Sequence, residues 1–310
     1  MLGRFDVPLT QATTNSLAAQ RAFRAGEQLH VTGRDLEARA SYKLAVDLDP
    51  KFAMGYLQLG RIYSNTGESA LSRSYYQKAF DLRERTTDRE KLYIATSYYG
   101  YVTGEIDRAI GAYQLWQSLY PNDVVPVNNL AIEYITLGEG DKAVAEARKA
   151  VELEPQLPVP YATLAQALFM AGDYRTLAVL CNAKARSAGP TMVLPLTCHE
   201  FSIVENDTVR QAEIERASEG KPLEAYILND TAEAEAYSGH LRHATQLFAK
   251  SVTSARNHDL PELAAMLELN AVSIRASLDD PTASQSLIED ALLHSPGGAQ
   301  VSRVLRWHTP

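Results

Sequence analysis

YLQLGRIYSNTGESALSRSYYQKA, residues 56–79, carries two helical patterns on either side of a glycine. In the first, Tyr56, Leu59, Gly60 and Tyr63 follow a 3-1-3 spacing, which sets all four on one stripe of a helix. In the second, Ser72, Tyr76 and Ala79 fall at i, i+4 and i+7, again on one stripe. Gly60 lets a partner helix approach closely, and the large side chains fill the space around it. The two stripes predict helices packed on each other, with Gly67 in the turn between them.

The same turn recurs along the chain. Gly33, Gly67, Gly104, Gly138, Gly172, Asn206 and Gly239 are separated by 34, 37, 34, 34, 34 and 33 residues. A period of about 34 residues marks tandem helix–turn–helix units. Glycine suits such a turn because it takes positive φ without strain, and asparagine is the next most tolerant residue. Three extra residues, Thr87 to Arg89, explain the single 37-residue step. The expected fold is all-α: a right-handed α-solenoid of about eight helix–turn–helix repeats, each packing only on its neighbours.

The pattern extends in both directions. The first repeat supplies Gly26, Leu29 and Ala38-x3-Tyr42-x2-Ala45-x4-Pro50; the third supplies Tyr93 and Ala109-x3-Tyr113-x2-Trp116-x4-Pro121. Trp116 stands where a small residue is expected, which predicts a local widening. The fourth reads Leu130-Ala131-x2-Tyr134, then Ala143-x3-Ala147-x2-Ala150-x4-Pro155, and the fifth keeps Tyr161, Leu164, Ala165 and Leu168. Pro50, Pro121 and Pro155 each close a second helix, since proline cannot continue one. Beyond Gly172 the pattern decays, recovering at Ala232 and Ala244-x3-Phe248, with a long helix expected over Pro261 to Leu278. The expected organisation is an extension over 1–15 with a cap at Asn15 or Ser16, then five clear repeats over 16–191. Three degenerate repeats follow over 192–298, and a tail or capping helix over 299–310.

These residues resemble the tetratricopeptide repeat (TPR) pattern W-x2-L-G-x2-Y…A-x3-F…A…P over nearly the whole chain. The resemblance implies a non-catalytic scaffold that binds a protein or peptide in a concave groove lined by the first helices. A narrower likeness rests on Phe5-Asp6-Val7-Pro8-Leu9-Thr10-Gln11-Ala12-Thr13-Thr14, Phe52-Ala53-Met54, Ser64-Asn65, Tyr101-Val102-Thr103-Gly104 and Val127-Asn128-Asn129-Leu130. They resemble the C-terminal TPR array of certain bacterial serine/threonine kinases and related regulators. That implies the interaction module of a signalling protein, with a catalytic or regulatory domain upstream. The alternative it implies is a regulatory domain that senses a ligand or signal peptide.

A second stripe lies about 120° from the core stripe of the first helices. It holds Lys91, Ile94, Tyr98 and Tyr101 in the third repeat, Val125, Asn128, Ile132 and Ile135 in the fourth, and Val159, Ala162, Gln166 and Phe169 in the fifth. Its composition suits either a binding surface or a seam buried against the preceding repeat. Asn129 and Asn270 occupy the place where many TPR grooves offer an asparagine to a peptide backbone, and a primary amide has both a donor and an acceptor for that task. Arg61 and Asn65 extend the stripe one repeat earlier and favour an acidic ligand residue. The two-carboxylate clamp of chaperone-binding TPRs needs Lys, Asn and Arg on successive first helices. Ile94, Tyr98, Val159 and Thr163 flank Asn129 instead, so that clamp is not expected.

Other chemistries find little support. No GxGxxG, P-loop, HRD, DFG, HExxH or GxSxG is present, so neither enzymatic activity nor a cofactor is expected. Cys181 and Cys198, with 16 residues between them and no CxxC, are expected to be small buried core residues. His240 and His243 form a two-ligand edge without a third ligand in view, so no metal is expected. Glu233 and Glu235 read as a solvated acidic face. With 38 acidic and 30 basic residues the net charge is −8, which disfavours nucleic acid as a partner. No apolar run approaches the ~20 residues of a membrane span. Met1 to Asn15 has no apolar signal core, so a cytoplasmic location is expected; the alternative is extracytoplasmic, if a membrane anchor precedes the chain.

Overall fold

The computed structural model describes residues 14–31, 34–66, 68–184 and 192–279. Helices come in sequential pairs: α1 (Leu17–Val31) and α2 (Asp35–Leu48), α3 (Ala53–Asn65) and α4 (Ser69–Asp81), α5 (Asp88–Tyr98) and α6 (Ile106–Leu119), α7 (Val124–Thr136) and α8 (Gly140–Leu153). The series continues with α9 (Pro158–Met170) and α10 (Tyr174–Lys184), α11 (Val193–Val204) and α12 (Thr208–Ser218), α13 (Leu223–Tyr237) and α14 (Leu241–Asn257), and then α15 (Pro261–Asp279). Among the described residues there is no strand. No described helix is long and apolar enough to cross a membrane.

Helix starts follow from local capping chemistry. Ser16 Oγ accepts the Ala19 N–H at 3.2 Å, which assigns the first cap to Ser16 rather than Asn15. Thr87 and Glu90 form a reciprocal capping box at the start of α5. Asp207 accepts the Arg210 N–H at 3.1 Å at the start of α12. Each bond satisfies a donor that a helix start leaves open.

The turn ladder is realised in the backbone. Gly104, Gly138, Gly172 and Gly239 have φ of +71°, +75°, +70° and +85°, and Asn206 has +56°. Gly33 and Gly67 lie outside the described residues, as does the expected tail over 299–310. The 37-residue step falls in the linker after α4, where a 3-10 turn, Arg83–Arg85, precedes the Thr87 cap. The third repeat is irregular where the sequence expects widening. Its first helix runs on into a π turn, Tyr99–Thr103, and Trp116 is completely buried beside Tyr93. The indole Nε1 donates to Asp123 Oδ2 at 3.0 Å, so the large side chain is held by a polar contact as well as by packing.

The chain divides into two compact units, one running to Leu194 without the stretch Asn65–Ala70, the other taking that stretch together with the residues from Pro195 onward. In unit 1 the repeat is visible as a repeated contact. A Cβ on Gly26 would lie 2.7 Å from Cε1 of Tyr42, and one on Gly60 would lie 2.7 Å from Cδ1 of Tyr76. Each tyrosine ring thus occupies the space above a glycine, and Ser72 Oγ donates to the Gly60 carbonyl at 2.8 Å. Ala131 and Ala165 hold the equivalent place in the fourth and fifth repeats and are fully buried. In unit 2 the core gathers Ala232, Ala236, Ala244, Leu247, Phe248 and Ile274.

Several sequence expectations need correction. Ile94, placed on the second stripe, is wholly buried in the core, because the seam between repeats takes in that part of the stripe. Cys181 and Cys198 are buried as expected, but neither is a free thiol: both are disulfide-bonded. Their spacing contains no CxxC, so nothing local announces this. His240 and His243 do have a carboxylate nearby, with Nδ1 atoms 3.0 and 3.1 Å from Glu235 Oε2. The contact with His243, above all, lowers the Glu235 pKa. No group of three or more His, Cys, Asp or Glu among the described residues is arranged to hold a metal.

Candidate groove on the first helices

The first helices of unit 1 present equivalent residues in rows. One place after the small residues Gly26, Gly60, Ser97, Ala131 and Ala165 stand Glu27, Arg61, Tyr98, Ile132 and Gln166. Four places further on from Ala131's counterparts in the third and fifth repeats stand Tyr101 and Phe169. Three places before Ala131 stands Asn128.

Two of the aromatic members lean on the preceding repeat. Tyr98 stacks on Phe80 of α4, with ring centroids 3.8 Å apart, and Tyr101 stacks on Tyr76 at 5.1 Å. Tyr101 still leaves 42% of its surface exposed, so the stripe is part seam and part surface. Phe169 packs against Tyr174 with centroids 5.9 Å apart. Ile132 and Gln166 are partly buried, and Asn65 is exposed at the end of α3.

Asn128 is only 5% exposed. Its Nδ2 donates weakly to Asn129 Oδ1 at 3.4 Å, and Asn129 Nδ2 donates to the Tyr113 hydroxyl, also at 3.4 Å. The Asn128 Oδ1 has no partner at all. Asn270, in unit 2, behaves differently: its Nδ2 donates to Asn229 Oδ1 at 3.0 Å and to Glu233 Oε1 at 2.6 Å. That network occupies the amide internally, and it makes Glu233 a structural acceptor rather than a solvated charge.

Arg61 is the most unusual group in unit 1. Its side chain is 27% exposed, and its Nη2 lies 3.8 Å from Glu27 Oε1, too far for a hydrogen bond. Glu27 Oε1 already accepts the Tyr42 hydroxyl at 2.5 Å. Arg61 Nε and Nη2 have no hydrogen-bond partner, and neither does the carbonyl oxygen of the Gln58 side chain on the same helix. Burial opposes the charge of Arg61, but Tyr93, then Glu27, Tyr42 and Tyr76, outweigh it and raise its pKa. Burial, with Glu27 next in weight, also raises Tyr42, so its hydroxyl stays neutral. The sequence reading missed Glu27, Gln58 and the tyrosines around Arg61. The ladder holds the signal for the first, since Glu27 and Arg61 stand 34 residues apart.

Unit 2 encloses a second polar group. His199 is fully buried, with Nε2 3.8 Å from Glu215 Oε1 and Nδ1 3.8 Å from Asp230 Oδ2. Burial, with Asp230 and Glu233 adding repulsion, pushes the neighbouring Glu200 up to about 8. Burial also raises Asp230, against the opposing pull of His199.

Repeated helix pairs whose first helices carry graded rows of side chains define a helical-repeat scaffold. The chain carries tetratricopeptide repeats: the family model for that repeat matches residues 55–86 and 127–157, the second and fourth units. Among solved structures, a chain of the APC/C hetero-tetramer Cut9–Hcn1 is similar with a TM-score of 0.60 at 13% identity. The likeness covers 96% of this chain and 57% of that one. A tetratricopeptide repeat protein from Parabacteroides merdae aligns over 80% of this chain and 99% of its own, with a TM-score of 0.48 at 16% identity. At such identities the likeness concerns the fold. No curated protein matches the sequence.

Proposed function

We propose that the chain is a peptide-binding TPR scaffold whose ligand lies along the first helices of unit 1, centred on α7. The observation that supports this is the Asn128 side-chain carbonyl, enclosed and without a donor. A buried polar atom left unpaired costs about 1–3 kcal/mol, so natural proteins rarely keep one without a use. A peptide N–H supplies the missing donor. Ile132, Phe169 and the exposed face of Tyr101 then provide apolar contact, while Gln166 offers a second amide. The signalling context rests on the sequence resemblance alone.

Fluorescence polarisation with a library of labelled nonapeptides tests the reading. Asn128→Ala is expected to weaken the best binder at least about tenfold, equal to 1.4 kcal/mol, without changing the helical content of the protein. Normal binding by this variant, combined with loss of binding when charge is placed at Leu44 or Leu115, exposed on the second helices α2 and α6, would move the site elsewhere.

The oxidation state of the two cysteines supports the extracytoplasmic alternative for location, because disulfides persist chiefly in oxidising compartments. Protein isolated with rapid alkylation under denaturing conditions is expected to show no modified cysteine until a reductant is added. Two alkylated cysteines without reductant would contradict that placement.

A further inference from the structure

We propose that Arg61 is the anchor for an acidic side chain of the bound peptide. The proposal deepens the reading of the first-helix row as a peptide site and rests on it. A guanidinium carries five N–H donors in a rigid fork that matches a carboxylate. In Arg61, two of the three nitrogens are enclosed and make no hydrogen bond. The nearby carboxylate, Glu27, stands off at 3.8 Å and spends the facing oxygen on Tyr42. The cation is therefore only partly neutralised, and two nitrogens of its fork are unfilled, while Tyr42 also hydrogen-bonds the guanidinium.

The surroundings favour a carboxylate over other anions or neutral groups. Tyr42 and Tyr76 are raised in pKa by burial and remain neutral, so they shield the site from water without adding negative charge. Gln58, one helical turn before Arg61, has an unpaired carbonyl that suits the backbone N–H next to the acidic residue. A single guanidinium with one adjacent amide acceptor fits a carboxylate on a peptide better than a phosphate, which calls for several donors or cations. The row continues on both sides of Arg61, to Glu27 and to Tyr98, so the ligand chain passes the anchor rather than ending there. An Asp or Glu side chain meets that requirement.

The two charged members of the row then make opposite predictions. Arg61→Gln removes the anchor, while Glu27→Gln removes a competitor for it. If the pair were merely a structural ion pair, both changes would weaken the protein and neither would alter ligand preference.

The test uses positional-scanning libraries of fluorescein-labelled, C-terminally amidated nonapeptides, with one fixed residue at each position. Wild-type protein is expected to bind a pool with fixed Asp or Glu at least tenfold more tightly than the matching Asn or Gln pool. Arg61→Gln is expected to abolish that preference while still binding the neutral pools, and Glu27→Gln is expected to keep or strengthen it. An Arg61→Lys variant checks the fork itself, since a point charge should recover only part of the preference. Peptide binding without acid preference, or a preference that survives Arg61→Gln, overturns the anchor and leaves the peptide site standing. A preference seen only when the C-terminus is a free acid overturns the side-chain assignment. Failure of every pool to bind overturns the peptide site and the anchor together.

Discussion

Gly60→Leu is expected to destabilise unit 1 by about 3 kcal/mol or more, the upper end of the usual cost of overpacking. For a unit of this size that is a fall in melting temperature of roughly 6–12 °C. The cause is the Tyr76 ring, whose Cδ1, Cε1 and Cγ would lie 2.7, 2.8 and 2.9 Å from a Cβ at position 60. Tyr76 is nearly fully buried, so its ring has little space to retreat into. Gly104→Ala provides the contrast. Nothing lies within 4 Å of a Cβ there, but φ is +71°, so the cost is conformational and on the order of 1 kcal/mol. Thermal melts followed by circular dichroism should separate the two variants clearly. Equal, small losses from both would show that the Gly60–Tyr76 contact does not limit helix approach.

The second large effect is pH-dependent and belongs to unit 2. Glu200, pushed up to about 8, holds its proton in the folded state well above the ordinary carboxylate range. Below about pH 4.5 it is neutral in both folded and unfolded chains, and its contribution is fully favourable. As pH rises toward 8 the unfolded chain gives up the proton while the folded chain keeps it, so stability falls. Asp230, also raised, acts in the same direction. Glu200→Gln removes the titration and keeps the shape of the neutral side chain. It is expected to leave stability at pH 4 nearly unchanged and to raise it at pH 9 by a few kcal/mol, since every tenfold bias against the ionised form is worth about 1.4 kcal/mol. Urea denaturation of wild type and variant at the two pH values measures the difference. A Glu200→Gln effect of the same size at pH 4 and pH 9 would show that the carboxyl titrates normally.

Much of the architecture was legible in the order of residues. The spacing of Tyr56, Leu59, Gly60 and Tyr63 is a property of one helix, and the left-handed turns at Gly104, Gly138, Gly172, Asn206 and Gly239 are properties of a few consecutive residues. Local geometry of this kind survives translation from repeat to repeat, so a period read once applies along the array. The candidate groove was legible only in part. Tyr98, Tyr101, Asn128, Ile132, Gln166 and Phe169 could be assigned to a common stripe, but whether a side chain on that stripe is surface or seam depends on the helix lying behind it. Ile94 and Tyr98 went largely to the seam, the first into the core and the second onto Phe80.

The sequence by itself determined the repeat length, the pairing of helices, the turn residues and the TPR character of the chain. All of these are set by contacts between residues close in the chain or one period apart. Only the tertiary structure decided that Arg61 meets Glu27 without a hydrogen bond, that the Asn128 carbonyl is left without a donor, that burial raises the Glu200 pKa, and that both cysteines are oxidised. Those outcomes depend on distances of a few ångströms and on exclusion of water between separate helices, and neither quantity is written into a periodic pattern.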